Sequence, residues 1–152
     1  MDFFLVRHGE AKPEYEDPTR PLTDRGRQEV EKIARAVGAK NLAVSEIFHS
    51  GKLRAKQTAE IMARVVSPGR GVRKITGLAP EDDPVLAKAE LEAAVASVML
   101  VGHLPHLGRL AALLVTGDGE RSVVEFPPAS VACVSRAEGR WKLAWSLTPD
   151  TL

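Results

Sequence analysis

The sequence has 152 residues, of which 44% are hydrophobic and 27% are charged, as expected for one soluble globular domain spanning residues 1–152. Its 21 basic and 20 acidic residues leave a formal net charge of +1, so overall charge favours neither nucleic acid nor an acidic membrane as a partner. Its single cysteine, Cys133, excludes an internal disulfide framework, and the chain shows neither a membrane-length apolar run nor a signal-peptide pattern; we therefore expect a cytoplasmic protein.

The first half of the chain alternates predicted strands with predicted helices. A short apolar run over 3–6 predicts a strand that stops at Arg7-His8-Gly9. Thr23 is a favourable N-cap for a helix over 24–37, where apolar residues recur at helical spacing. A second strand over 44–49 ends at Ser50, which we expect to cap the next helix. A loop over 67–71 and a minor strand over 72–75 follow.

The third and fourth predicted helices flank the most apolar strand. Asp83 is the predicted cap of a helix with a proline in its first turn, running to about residue 96. The run over 98–101 is uniformly apolar, predicts a central strand, and ends at Gly102-His103. The next helix is predicted to close near Gly117.

The last predicted element is a hairpin, with strands over 131–136 and 141–147 around Glu138-Gly139. Its second strand is expected to place four residues on one face: Trp141, Leu143, Trp145 and Leu147. Strands that alternate with helices imply right-handed crossovers and a mainly parallel sheet covered on both faces, while the hairpin adds an antiparallel pairing. The predicted fold class is therefore α/β, a three-layer αβα domain with a mostly parallel, mixed sheet.

Three motifs follow predicted strand ends: Arg7-His8-Gly9, the segment 50–54 that contains Arg54, and Gly102-His103. Because the carboxyl ends of parallel strands meet at one edge of a sheet, we expect these side chains to converge. Guanidinium forks and helix N-termini suit a tetrahedral dianion such as phosphate. A neutral imidazole can accept a phosphoryl group covalently, and arginines can stabilise the charge without a metal.

These residues resemble the motifs of the histidine phosphatase superfamily, which includes the cofactor-dependent phosphoglycerate mutases. The segments 20–26 and 101–107 look most like those of SixA-type phosphohistidine phosphatases. The resemblance implies a phosphoglycerate mutase-like fold and a phosphatase without metal or cofactor. It implies that His8 is the phosphoryl-accepting nucleophile, that Arg7, Arg54 and His103 bind the phosphoryl group, and that Arg20 borders the pocket and touches substrate.

No acid can be assigned to protonate a leaving oxygen; the candidates are Glu10, Glu81, Asp82 and Asp83. An imidazole nitrogen can leave protonated without a strong dedicated acid, which favours cleavage of a P–N bond. The first hypothesis is therefore a monomeric phosphatase that acts on a phosphohistidine-bearing protein, such as a phosphotransfer domain. The alternatives are a phosphatase for small phosphomonoesters and a non-catalytic phosphoprotein-binding module.

Two further histidines are given structural roles. His106 is expected at the surface or as a helix cap, because it falls in the first turn of a predicted helix. His49, on a predicted strand, is expected in the core or on a sheet face. A zinc site formed by these two with His103 has no supporting cysteine cluster or HExxH pattern.

Overall fold

The structure, a computed structural model, describes residues 1–152. Its strands are β1 (Asp2–Arg7), β2 (Glu46–His49), β3 (Val72–Lys74), β4 (Val98–Gly102), β5 (Val131–Ala137) and β6 (Arg140–Leu147). Its helices are α1 (Asp24–Gly38), α2 (Leu53–Val66), α3 (Pro84–Ala93), α4 (His106–Thr116) and a short 3₁₀ helix, Pro149–Thr151. None of them combines the length and hydropathy needed to cross a bilayer.

All six strands belong to one sheet, in the order β3-β2-β4-β1-β5-β6. The β1–β4, β2–β4 and β2–β3 pairs are parallel, and the β1–β5 and β5–β6 pairs are antiparallel. The uniformly apolar β4 lies inside the sheet beside β1, as predicted. The mostly parallel, mixed sheet of the predicted fold class is thereby confirmed.

Two apolar clusters cover the two faces of the sheet. Phe4 and Val6 of β1 belong to the cluster that contains the buried residues of α1 and α2. Phe3 and Leu5 belong to the cluster that contains those of α3 and α4. Because both faces are covered, β1 needs apolar residues at successive positions, which explains its lack of alternation. The arrangement is the three-layer αβα architecture.

The prediction for the hairpin is wrong in one respect, because β6 changes faces. The β5–β6 register shifts between Cys133 and Val134, where a bulge interrupts the pairing. As a result, Trp141 packs with the α3–α4 cluster, 5.4 Å from the Phe3 ring between centroids, whereas Trp145 packs with the other cluster. One extra residue in a strand reverses which face the following side chains occupy.

Most predicted helix ends are confirmed. Gly26 N donates to Thr23 Oγ1 at 2.9 Å, and Val85 N donates to Asp83 Oδ1 at 3.0 Å, so both side chains cap their helices. Gly117 ends α4 in the left-handed region at φ 78°. The third helix stops at Ala93, three residues before the predicted end near 96.

Candidate active site

The ends of three neighbouring parallel strands bring the predicted motifs together. Arg7 of β1 lies opposite Gly102 of β4, and Val101 lies opposite His49 of β2. His8 N also donates to Gly102 O at 3.1 Å, which extends the pairing one residue beyond the strand. The residues that follow each strand, including His103, therefore emerge at one edge of the sheet.

The His8 imidazole has one nitrogen bonded and one free. Nδ1 lies 2.7 Å from Gly9 O, and because a carbonyl oxygen only accepts, Nδ1 carries the proton. Burial, and to a smaller extent the charges of Arg54, Arg7 and Arg20, lower the pKa of His8 to about 4. The ring is therefore neutral near pH 7, and the Nε2 lone pair is available as a nucleophile.

The turn after His8 is held by α2 and by close packing against α1. Gly9 N donates to Thr58 Oγ1 at 3.1 Å, and the Thr58 hydroxyl donates to Arg54 O at 2.9 Å. A Cβ atom on Gly9 would lie 2.6 Å from a methyl carbon of Val30, so only glycine fits. Thr58 thus ties the His8 turn to the helix that carries Arg54.

His103 packs against His8, with 4.9 Å between the ring centroids. Burial, and to a smaller extent the neighbouring His8, Arg54 and Lys52, lower its pKa to about 3. Its Nε2 lies 2.6 Å from Ser50 Oγ. The prediction that Ser50 caps α2 is wrong, because the helix begins at Leu53. The Ser50 hydroxyl is instead hydrogen-bonded to His103 across the strand ends.

The two arginines present donors that the protein itself does not satisfy. Arg7 Nη1 donates to Phe126 O at 2.8 Å, which fixes one side of that guanidinium. Arg7 Nε, Arg54 Nε and His103 Nδ1 are all buried and have no hydrogen-bond partner within the protein. Burial lowers the pKa of both arginines, but a guanidinium remains charged in proteins. Such donors suit the oxygens of a tetrahedral anion.

Arg20 lies in the loop between β1 and α1. An isolated antiparallel bridge between Ala11 and Leu22 closes the loop. Arg20 has φ 48°, and its Nε donates to Lys12 O at 3.0 Å. Its charge contributes to the lowered pKa of both His8 and Arg54, which places the guanidinium near the two residues.

The four candidate acids differ in their hydrogen-bond partners and in their exposure. The Glu10 carboxylate accepts from Thr23 Oγ1 at 2.8 Å, and Asp83 caps α3. Glu81 has an 80% exposed side chain and lies 3.8 Å from Arg109. Asp82 lines a cavity of about 400 Å³ together with Ser50.

The remaining histidines have the following places. His49 is buried, as predicted, and its Nδ1 accepts from Gly51 N at 3.0 Å. The prediction for His106 is wrong: the side chain is completely buried, because α4 packs its first turn against the sheet. No three histidine, cysteine, aspartate or glutamate side chains are grouped closely enough to hold a metal ion.

The low pKa values predict how the site responds to acid. The rings of His8 and His103 are expected to stay neutral down to pH 5, because their pKa values of about 4 and about 3 lie below that pH. The unfolded chain takes up protons below pH 6.5, so the free energy of unfolding falls with decreasing pH by about 1.4 kcal/mol per unit for each such histidine. Ring ¹⁵N chemical shifts between pH 7.5 and 5 measure the protonation directly. A midpoint near 6.5 for His8 contradicts the expectation.

Known proteins resemble the chain over its whole length. The family model described as histidine phosphatase superfamily (branch 1) matches residues 3–78. Phosphohistidine phosphatase SixA of Escherichia coli (strain K12) is 30% identical over 100% of this chain and 96% of its own. The structure of the protein histidine phosphatase SixA complexed with tungstate matches with a TM-score of 0.89 at 30% identity, covering 99% of both chains. Mycobacterial glucosyl-3-phosphoglycerate phosphatase complexed with VO3 shares the fold, with a TM-score of 0.68 at 17% identity and coverage of 95% and 97%.

Proposed function

Because the chain belongs to the histidine phosphatase superfamily, we propose that it removes the phosphoryl group from a phosphohistidine side chain of another protein. His8 is the nucleophile of this reaction, and the reaction passes through a covalent phosphohistidine on His8. The observation that carries the proposal is the His8 ring itself, which is neutral, has Nδ1 held by Gly9 O, and lies 4.9 Å from the His103 ring and within the influence of the Arg54 charge.

In the first step, the lone pair of His8 Nε2 attacks phosphorus in line with the bond to the substrate imidazole. That P–N bond breaks as the new one forms, and the leaving nitrogen takes up a proton. Arg7, Arg54 and His103 hold the equatorial oxygens, where negative charge must be stabilised. In the second step, water attacks phospho-His8, which releases inorganic phosphate and restores the free imidazole.

Two further observations support this assignment. The relative that is 30% identical bears the name phosphohistidine phosphatase, and the matching SixA structure holds tungstate, a tetrahedral oxyanion like phosphate. Arginine side chains supply positive charge at the site, so the proposed reaction requires no metal ion. The proposed partner is a phosphohistidine-bearing protein such as a phosphotransfer domain, and the enzyme acts as a monomer.

A second function, hydrolysis of small phosphomonoesters, is favoured by one observation. An alkoxide leaving group needs a proton donor, and Asp82 lines the cavity next to Ser50, the hydrogen-bond partner of His103. Asp82 Oδ2 accepts a hydrogen bond from Ala79 N, and Oδ1 takes no part in that bond.

Substrate comparison in the presence of a chelator separates these functions. We expect kcat/KM for a histidine-phosphorylated phosphotransfer domain to exceed that for glycerol phosphate by at least about a hundredfold, because only the second substrate needs a strong acid. Asp82→Asn should leave hydrolysis of the phosphorylated domain within about twofold of wild type. If glycerol phosphate is hydrolysed faster than the phosphorylated domain, and Asp82→Asn loses that activity, the protein is a phosphomonoesterase instead. Binding of the phosphorylated domain without phosphate release would assign the non-catalytic module.

A further inference from the structure

A groove leads from Ser50, the hydrogen-bond partner of His103, along the edge of the sheet. The cavity of about 400 Å³ that includes Ser50 shares four lining residues with a second cavity of about 340 Å³. Both lie beside β3, the strand at one edge of the sheet. We call the combined surface the β3 groove and define it by the shared residues and Ser50: Ser50, Lys74, Ile75, Thr76 and Leu86.

One wall of the β3 groove is apolar and exposed. Leu86, in the first turn of α3, lines the groove and is 60% exposed, and its neighbour Val85, outside the lining, is 55% exposed. Asp83 and Pro84 fix this turn through the helix cap, and a Cβ atom on Gly77 would lie 3.1 Å from Leu86 Cβ. The two apolar side chains are therefore held in place on a rigid element beside the site. Exposed apolar surface beside a functional pocket is typical of a contact with another protein.

Positive charge lies around the Ser50 end of the groove. Lys74 lies across the turn after Ser50, since a Cβ atom on Gly51 would be 2.7 Å from Lys74 Cδ. Lys52 and Lys56 are exposed and one helical turn apart at the start of α2. Burial is the main cause that lowers the pKa of His49, and the charges of Lys56 and Lys74 also lower it, so both ammonium groups lie near the end of β2.

Acidic residues around the β3 groove do not cancel this charge at its catalytic end. Asp82 lines the same cavity as Lys74 and offsets part of its charge, but Lys52, Lys56 and Lys74 together outnumber this carboxylate. Glu90 lines only the cavity farther from Ser50, where Arg73 is also present. The Glu60 carboxylate, on the next turn of α2, raises the pKa of His49, whereas the two ammonium groups of Lys56 and Lys74 both lower it.

A phosphoryl group alone does not account for this surface. It contacts the arginines and histidines at the strand ends, and apolar side chains on α3 contribute nothing to binding a small dianion. We propose that the β3 groove docks the protein that carries the phosphohistidine, with its lysines facing acidic side chains of that protein and Leu86 covering an apolar patch. This inference rests on the proposed function and assigns its substrate specificity to a surface outside the phosphoryl pocket.

The test compares a large substrate with a small one. For Leu86→Ser and Lys74→Ser, we expect KM for a histidine-phosphorylated phosphotransfer domain to rise about five- to twentyfold, as for contacts of roughly 1–2 kcal/mol, with kcat unchanged. Hydrolysis of phosphoramidate, which is too small to reach the groove, should remain within about twofold of wild type and shows that each variant is folded. Matched controls are Val95→Ser, an exposed apolar residue beyond the end of α3, and Lys142→Ser, on β6 at the other edge of the sheet.

The outcomes separate the two proposals. Unchanged KM for the phosphorylated domain in both groove variants overturns the docking surface but leaves the proposed function intact. Equal losses with both substrates overturn it as well, since they place the residues in the catalytic structure. A wild-type enzyme that hydrolyses phosphoramidate but not the phosphorylated domain overturns the protein substrate and its docking surface together.

Discussion

Replacing His8 by alanine is expected to lower kcat/KM for hydrolysis of a phosphorylated phosphotransfer domain by at least about a thousandfold, because the covalent route requires this nitrogen. The proposed phosphoryl-binding residues Arg7, Arg54 and His103 remain in the variant, so we expect KM to change much less than kcat. Phosphate release under multiple-turnover conditions measures both constants.

The matched control for this variant is another buried histidine. His106 is completely buried, and neither ring nitrogen has a hydrogen-bond partner within the protein. An apolar residue of similar size can replace such a group at little cost, so His106→Leu should fold and keep its activity within a few-fold. If His8→Ala retains a tenth or more of the wild-type kcat, His8 is not the nucleophile.

Replacing Arg54 by alanine should lower kcat/KM by about a hundred- to a thousandfold, the range measured when one donor to a developing anion is removed elsewhere. Arg54 has a buried, unpartnered Nε, and its charge lowers the pKa of His8. Removing it should therefore weaken binding of the oxyanion and raise the pKa of His8 towards its usual value. Inhibition by inorganic phosphate reports the first effect, and the ¹⁵N titration of His8 reports the second.

Two companion variants make this test specific. Arg54→Lys should recover little of the loss, because an ammonium group cannot reproduce the planar fork of donors. Arg64→Ala removes the same charge from an exposed position in the last turn of the same helix, and its kcat/KM should stay within about twofold of wild type. Equal activity in Arg54→Ala and Arg64→Ala would remove Arg54 from the site.

The meeting of the central motifs could be predicted because it depends on strand ends. Arg7-His8 and Gly102-His103 each follow a continuous apolar run, and parallel neighbours bring such ends to one edge. The fold class follows from the same alternation of strands and helices. Each of these features involves residues that are close together in the sequence, so sequence patterns are sufficient to predict them.

The contacts that organise the site are not local, and the sequence patterns missed them. Ser50 precedes a helix and is a reasonable cap by that pattern, but its partner is 53 residues away in His103. Thr58 supports Gly9 across 49 residues, and nothing in the spacing of α2 shows it. The bulge in β6 is similar, since one extra residue reverses the faces while the alternation of apolar residues continues through it.

The burial of His106 has a different cause. A histidine in the first turn of a helix usually reaches solvent, but α4 begins only three residues after His103, against the same sheet edge. Its first turn is therefore enclosed, and the imidazole is buried without a bonded partner. Helical periodicity shows which face of a helix is apolar, but it does not show how far the end of that helix is buried in the protein.

The proposed intermediate on His8 can be tested most directly by trapping it. The enzyme is mixed with phosphoramidate, quenched within one turnover, kept at alkaline pH to preserve phosphohistidine, and analysed by mass spectrometry of its peptides. We expect one phosphoryl group, on His8, that disappears at the rate of turnover when the phosphoramidate is removed and is absent from His8→Ala. Turnover without a phosphorylated enzyme, or a phosphoryl group on a different residue, would contradict this expectation.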